Sequence, residues 1–415
     1  MILLSGADLV LPDRVLSPGS LAIDGDRIVD VMSGDTPADR GAFHIDLRNH
    51  YIVPGFIDVH VHGVHGTDVM DDEDAVRTVA EFLPRHGVTA FCPTTIACAP
   101  DILRRTLAAV RASRTAELAG SRVLPAHLES NFISPEYKGA QPLECLRLPP
   151  PVPGFPGSRV PGGSVHGFAV HGFNGSQVQG FTAGDILDEI AAARPDVGIV
   201  TVAPELDGAL DLIRDLVGHG HHVSLGHSGA TYEEAVAGIE AGARQATHLF
   251  NRMPPLGHRG PGLAGAVLED ESVIAELVCD GVHVHPAVAR MAIAAKRTSA
   301  VMAITDGTAG SGLAPGSFAV LGGRQIRVGD AAYLPDGTIA GSVLTMDQAF
   351  QRLVTLMGLS VVDAATLCST TPARALNLQG FGVIAAGAVA DLAILDRELN
   401  VVQTYIGGRR VFAAA

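Results

Sequence analysis

The feature that most restricts the fold is a regular alternation of short apolar strands and helices between residues 52 and 365. About eight such units fit into this span, which predicts an α/β fold of the (β/α)8 TIM-like barrel type. An open, doubly wound sheet is the alternative, although no GxGxxG motif opens a helix after an early strand. The strand that ends near His62 comes first, and the others are predicted at Thr89–Cys92, Arg122–Leu128, Gly198–Val202, His222–Leu225, Gln245–Leu249, Ser272–Cys279 and Ala300–Thr305.

Both ends of the chain have β character instead. Two short apolar runs flank Asp24-Gly25-Asp26, which is a hairpin signal, and a second β-rich run begins near Ala390. Neither end has enough apolar residues for a core of its own. We therefore predict one small β-sandwich domain formed by residues 1–50 and 370–415, with the barrel inserted as residues 51–369.

The charge and the cysteine content of the chain indicate which partners and which cellular compartment to expect. The 415 residues carry a net charge of -15, which argues against nucleic acid and anionic membranes as partners. Five scattered cysteines form no CxxC pair, so a reducing compartment is expected. No signal peptide is recognisable, and no uninterrupted apolar run reaches membrane-spanning length. These features predict a cytoplasmic location.

One segment interrupts the alternation. Residues 146–180 are dense in proline and glycine and show little periodicity, which is typical of a lid or a spacer. Because the segment follows the third predicted strand, we expect it on the face of the barrel that carries the active site. Its two histidines, His166 and His171, are more simply explained as exposed loop residues than as site residues.

Histidines and carboxylates stand where the predicted barrel strands end. His60 and His62 close the first strand, and their spacing of two puts both side chains on one face. A lone histidine is more often structural, and a lone aspartate after a strand is more often a helix cap. Six such residues on one rim are much harder to explain by chance, and they predict a metal site. The set comprises His60, His62, Glu129, His227, His248 and Asp306.

This mixture of imidazole and carboxylate groups suits a divalent metal. Zn²⁺, Fe²⁺, Mn²⁺ and Co²⁺ all suit these groups, and the residue types do not choose among them. We take Zn²⁺ as the first choice, with one or two ions per subunit. Such a metal activates water at neutral pH, and Asp306 is then the natural general base. The predicted reaction is metal-assisted hydrolysis of an amide or a related C–N bond.

Several longer motifs extend these single residues. In chain order they read PGFIDVHVHG, HLESNFISPEYKGAQP, TVAPE, GHSGA, THLFNRM, HRGPGLAG, DGVHVHP, ITDG and DGTIAGSVLTMDQA. The series resembles the amidohydrolase superfamily, and more narrowly the N-acetylglucosamine-6-phosphate deacetylase family, from about residue 20 onward. The resemblance implies a homodimeric metal-dependent barrel enzyme that releases acetate from a small-molecule substrate, an N-acetylamino sugar phosphate.

The resemblance also implies roles for single residues. Glu129, His227 and His248 match the main metal ligands, whereas His60 and His62 match a second metal position. Asp306 matches the catalytic acid and base, and Arg259 a phosphate-binding arginine that can act across the dimer. An ordinary surface ion pair explains the spacing of Arg259 equally well. The remaining matches to substrate-contacting positions are Ala140, Gln141, Asn251, Arg252, His283, Ile339, Ala340 and Gly341.

Three motifs depart from the family pattern. Ser130-Asn131 replaces Gly-Pro, Gln141 replaces a histidine that helps to polarise the substrate carbonyl, and Gly260 replaces Glu. Losing such a donor can cost about 10²–10³ in rate. Two alternatives therefore stay open: an enzyme for another N-acyl sugar or a cyclic amide, and a catalytically weak homologue that binds a sugar or a protein partner.

Overall fold

The computed structural model describes residues 1–35, 43–150 and 180–414. Eight parallel strands, β1 to β8, follow one another around a barrel. Asp306 N donates to His60 O over 3.0 Å and joins the end of β8 to β1. The predicted barrel is therefore confirmed. The strands are Phe56–Val61, Val88–Thr95, Ala126–Leu128, Val197–Val202, His222–Leu225, Gln245–Ala246, Ile274–Val278 and Val301–Ile304.

One helix of at least two turns follows each barrel strand. Capping boxes at Thr182 and Thr231 start the third and fifth of these helices, because each threonine and the acidic residue three positions later satisfy one another's backbone N–H groups. The helices α1 to α8 are Ala75–Phe82, Pro100–Thr115, Ala183–Ala192, Ala209–Gly218, Tyr232–Glu240, Gly262–Glu269, Pro286–Lys296 and Met346–Thr355.

Short strands and helical turns lie between the main elements of the barrel. An antiparallel sheet formed by Phe318–Leu321, Arg324–Val328 and Ala332–Tyr333 lies between β8 and α8. Further short strands are Gly63–Val64, Thr67–Asp68 and Arg122–Val123, and 3-10 turns span Leu83–His86, Leu143–Cys145 and Thr298–Ala300. A helical run through Val361–Ala365, Thr366–Thr370 and Thr371–Ala375 follows α8.

The two ends of the chain share one mixed sheet of eight strands. Ile2–Val10 pairs with Val15–Asp24, and Tyr51–Pro54 joins this N-terminal part to Leu392–Leu395 from the C-terminal part. The small β structure built from both termini is therefore confirmed, while the domain limits at residues 50 and 370 stay a prediction. The remaining strands of the sheet are Arg27–Ser33, Phe43–Asp46, Val401–Ile406 and Arg409–Ala413.

The sequence of β1 explains how the core and the site share one strand. Ile57 and Val59 pack into an apolar cluster with Met302 and Ile304 of β8. Asp58 and His60, which alternate with them, are polar and buried. Because neighbouring side chains of a strand point to opposite faces, one face of β1 builds core while the other supplies the site. No helix of the described residues combines the length and the apolar character needed to cross a membrane.

Candidate metal centre

Four histidine side chains and two carboxylates meet at the carboxyl ends of the barrel strands. His227 Nε2 lies 2.8 Å and His248 Nε2 3.0 Å from Glu129 Oε1. His60 Nε2 lies 3.4 Å and His62 Nε2 3.3 Å from Asp306 Oδ1. The structure thus brings all six residues of the predicted cluster together. Glu129 belongs to two sets of potential ligands, one with His60 and His62 and the other with His227 and His248.

The backbone turns sharply where these side chains leave their strands. His227, His248 and Asp306 each lie two residues beyond the end of a strand and have φ angles of 48°, 32° and 49°. Left-handed conformations of non-glycine residues cost on the order of 1–3 kcal/mol each and persist where the surroundings hold them. The same turn at three strand ends aims the three side chains toward one another.

Hydrogen bonds fix the orientation of the imidazole rings. His62 Nδ1 lies 3.0 Å from Thr94 O, and His227 Nδ1 lies 2.9 Å from Tyr137 O. A ring nitrogen that faces a carbonyl must donate, so the opposite Nε2 of each neutral ring keeps its lone pair. His248 Nδ1 is buried and has no hydrogen-bond partner among the described residues.

The arrangement fits a divalent cation. The Nε2 atoms of His227 and His248 are 3.0 Å apart, and those of His60 and His62 are 3.3 Å apart. With neutral rings, the Nε2 lone pairs of His62 and His227 face carboxylate oxygens of Glu129 and Asp306. A positive ion between them resolves this conflict, and nitrogen with carboxylate oxygen is a donor set that zinc and neighbouring metals accept.

The pKa shifts within the cluster also indicate that its carboxylates need positive charge beside them. Burial alone raises the pKa of Glu129, but the charge and hydrogen bond of His227 and the hydrogen bond of His248 lower it well below its usual range. Burial likewise raises the pKa of Asp306, and its contacts with His62 and His60 outweigh that effect and lower the pKa. Despite burial, the hydrogen bond to Asp306 and the charge of Glu129 raise the pKa of His62 to about 9. Both carboxylates are therefore held ionised by positive charge opposite them, which protonated imidazole carries in the metal-free cluster and which a bound metal would carry between neutral rings.

Gln141, at the position of the missing family histidine, contacts the ligand set directly. Its amide nitrogen donates to Glu129 Oε2, and its Oε1 accepts a 2.7 Å hydrogen bond from Ala97 N. Both ends of this buried amide are therefore engaged by protein groups. A direct contact between Gln141 and substrate stays a prediction, as does the contact of its neighbour Ala140.

Some of the predicted substrate-contacting residues lie beside the cluster. A Cβ atom on Gly341 would come within 3.0 Å of Asp306 O and 3.5 Å of its Oδ1, so only glycine fits this close approach. Arg252 Nη2 donates to Ile339 O over 3.3 Å and links the segment that contains Ala340 to the loop after β6.

Two further predicted residues are held in place by protein groups. His283 Nδ1 lies 2.6 Å from Asp280 Oδ2, which leaves Nε2 of this largely buried ring available to a ligand. Asn251 Nδ2 donates to His248 O over 3.2 Å and thereby caps the turn that carries a predicted metal ligand.

Arg259 stands apart from the other predicted residues. Its side chain is exposed, and within the described residues no ion pair involves it. Among the described residues, no hydrogen bond or ion pair joins Arg259 to the cluster. His166 and His171 lie outside the described residues.

Sequence reasoning missed one residue, Glu276 of β7. It is fully buried, and its Oε2 lies 2.9 Å from His60 Nδ1. A glutamate in the middle of the apolar run Val273–Val278 was the available signal, because carboxylates are rarely buried without a partner.

The barrel and its histidine–carboxylate cluster define a class of hydrolases that act with a metal. A model of the amidohydrolase family matches residues 51–411. The chain is 32% identical to an N-acetylglucosamine-6-phosphate deacetylase of Danio rerio, with 96% of this chain and 91% of the relative covered. It is 31% identical to an N-acetylgalactosamine-6-phosphate deacetylase of Escherichia coli O157:H7, with 86% and 87% covered.

A solved structure matches equally well. N-acetyl-D-glucosamine-6-phosphate deacetylase from Mycobacterium smegmatis, solved as a mutant in complex with N-acetyl-D-glucosamine-6-phosphate, aligns with a TM-score of 0.85 and 32% identity. The alignment covers 99% of each chain. The chain therefore belongs to the amidohydrolase family and, within it, to the N-acetylglucosamine-6-phosphate deacetylase family. The resemblance inferred from the motifs is confirmed, and the chain is a hydrolase of C–N bonds.

Proposed function

We propose that this enzyme hydrolyses the acetamido group of N-acetylglucosamine 6-phosphate to give glucosamine 6-phosphate and acetate. The observation that carries the proposal is the convergence of four imidazole Nε2 atoms and the ionised carboxylates of Glu129 and Asp306 at one end of the barrel. The relatives named above act on phosphorylated N-acetylamino sugars and supply the substrate class.

Glu129, His227 and His248 would hold one divalent metal, and His60 and His62 would add a second position beside it. A bound metal, for which zinc is our first choice, would supply the Lewis acidity that amide hydrolysis needs at neutral pH. A side chain of the protein transfers the proton of the attacking water. Asp306, kept ionised by its neighbours, accepts a proton from the water and passes it to the leaving nitrogen.

Residues around Asp306 would orient the substrate. We assign His283 to a sugar hydroxyl, because its contact with Asp280 presents Nε2 to the ligand. Ile339, Ala340 and Gly341 would contact the substrate next to the reacting carbon. Ala140, Gln141, Asn251 and Arg252 would supply further substrate contacts. Arg259 would bind the phosphate, since a guanidinium can donate two parallel hydrogen bonds to it.

We further propose a homodimer in the cytoplasm. An exposed Arg259 without an ion-pair partner in the described chain suits a role across a subunit interface. Five cysteines without a disulfide suit a reducing compartment. Light scattering coupled to size exclusion would measure the subunit number.

Acetate release on metal-analysed protein tests the proposal. The panel comprises N-acetylglucosamine 6-phosphate, N-acetylgalactosamine 6-phosphate and unphosphorylated N-acetylglucosamine, with Asp306→Asn as a control for contaminating activity. We expect turnover of the first compound and a large loss without the phosphate. A metal-loaded enzyme that leaves all three intact would refute the substrate assignment and favour another N-acyl compound.

A further inference from the structure

We infer that Glu276 is a positioning residue for the metal centre. It determines which nitrogen of His60 faces the ligand cluster. Glu276 lies on β7, one strand beyond the β6 end that carries His248, and it is 0% exposed. The inference rests on the metal ligands proposed above and adds a residue that none of the matched motifs contains.

The contacts of Glu276 fix it as a hydrogen-bond acceptor. Gln245 Nε2 donates to its Oε1 over 2.6 Å, and His248 N donates to its Oε2 over 3.3 Å. His60 Nδ1 lies 2.9 Å from the same Oε2. N–H groups on both oxygens favour the ionised carboxylate, which can only accept hydrogen bonds, so His60 Nδ1 carries the hydrogen and donates.

The consequence appears at the other side of the His60 ring. Its Nε2 is left with a lone pair, and it faces His62 Nε2 at 3.3 Å, Asp306 Oδ1 at 3.4 Å and Glu129 Oε1 at 3.7 Å. The opposite tautomer would aim a hydrogen at this point and block a metal there. Outer carboxylates of this kind also raise the basicity of the imidazole.

Because His60 is buried, other groups can hardly take the place of Glu276 as the hydrogen-bond acceptor for His60 Nδ1. His60 is 0% exposed, and the His127 ring packs edge-on against it with centroids 4.6 Å apart. His127 is itself occupied, because Nδ1 lies 3.0 Å from Val59 O and Nε2 lies 2.9 Å from Thr201 Oγ1. Neither solvent nor His127 can therefore take over the contact with His60 Nδ1.

Glu276→Gln tests the inference while the side-chain volume is kept. Glutamine cannot accept all three N–H groups with its single carbonyl oxygen, so the orientation of His60 is no longer fixed. We expect the zinc affinity, measured by competition with a chromophoric chelator, to fall by about 10–100-fold. Asp196→Asn is the matched control, because Asp196 is a buried carboxylate that pairs with Arg111 and Arg114 away from the cluster. The zinc affinity of this control variant should match that of the wild type.

A double-mutant cycle separates positioning from general stability. If Glu276 acts through His60, adding Glu276→Gln to His60→Asn should weaken zinc binding no further than His60→Asn alone. Multiplied losses in the double variant, or a Glu276→Gln affinity within twofold of the wild type, would overturn the inference.

Should the glutamine variant fail to fold, Glu276→Asp keeps the charge and withdraws it from His60 by one methylene. It should then show the same weakening, and unchanged affinity would again overturn the inference. Zinc affinity is measured without substrate, so a failed deacetylation assay would count against the proposed function alone.

Discussion

Asp306→Asn is the substitution that most directly tests the proposed chemistry. The carboxylate lies 3.3 Å from His62 Nε2 and 3.4 Å from His60 Nε2. The other carboxylate within the cluster, Glu129, is already engaged by His227, His248 and Gln141. No described carboxylate of the cluster is therefore free to act as a substitute base.

The fold should tolerate this change. Asparagine has nearly the shape of aspartate and accepts the left-handed φ of 49° at this position. The backbone bonds from Asp306 N to His60 O and from Ser342 N to Asp306 O do not involve the side chain. We expect the melting temperature and the metal content to stay close to those of the wild type.

The expected loss is confined to turnover. General acid–base catalysis contributes about 10²–10⁴ in rate, which corresponds to about 3–5 kcal/mol of transition-state stabilisation. Steady-state acetate release from N-acetylglucosamine 6-phosphate should therefore show kcat lowered by that factor and KM changed little. A variant with full metal content that retained kcat within fivefold of the wild type would refute the role of Asp306 as the base.

Three further changes probe other parts of the site. His227→Ala should lose metal and activity together, since it removes one of the three proposed ligands, whose Nε2 lies 2.8 Å from Glu129 Oε1, and elemental analysis beside the rate assay checks both losses. Arg259→Met should raise KM for the phosphorylated sugar at least tenfold and leave the weak reaction of unphosphorylated N-acetylglucosamine unchanged; equal effects on both would contradict phosphate binding. Burial raises the pKa of Glu205 to about 7 from an ordinary value near 4.5, so the folded state binds the extra proton and the free energy of unfolding falls as pH rises between these values. Glu205→Gln should flatten the dependence of melting temperature on pH in this window, and an unchanged slope would count against the shift.

Much of the fold follows from local sequence patterns. The strand that precedes Asp306 ends where the apolar run Val301–Ile304 ends, because a strand buried on both faces needs a continuous apolar sequence. The strands before His227 and His248 are short and contain polar residues, so the motifs that follow them carry more of the prediction. Motif residues at those ends then identify the cluster. The break after Tyr51–Pro54 is harder to predict, since this strand and β1 form one apolar stretch in the sequence. The two strands pair with different partners: Tyr51–Pro54 pairs with Ile2–Val10 and Leu392–Leu395, whereas β1 pairs with β2 of the barrel.

The contacts of Glu276 and Gln141 could not be predicted for a related reason. Each bonds to a group that is distant in the sequence, His60 for Glu276 and the backbone of Ala97 for Gln141. Residue type and spacing do not encode such pairings when a single sequence is read. The buried position of Glu276 was readable, but its partner was not.

The mixed sheet of the termini has a consequence for synthesis and truncation. Tyr51–Pro54 directly precedes β1, and its outer edge is covered by Leu392–Leu395. A nascent chain therefore exposes this edge until nearly all of the protein has left the ribosome. Open strand edges invite pairing between molecules. A chain cut before residue 390 should thus accumulate as aggregate, even though every residue of the catalytic cluster is present.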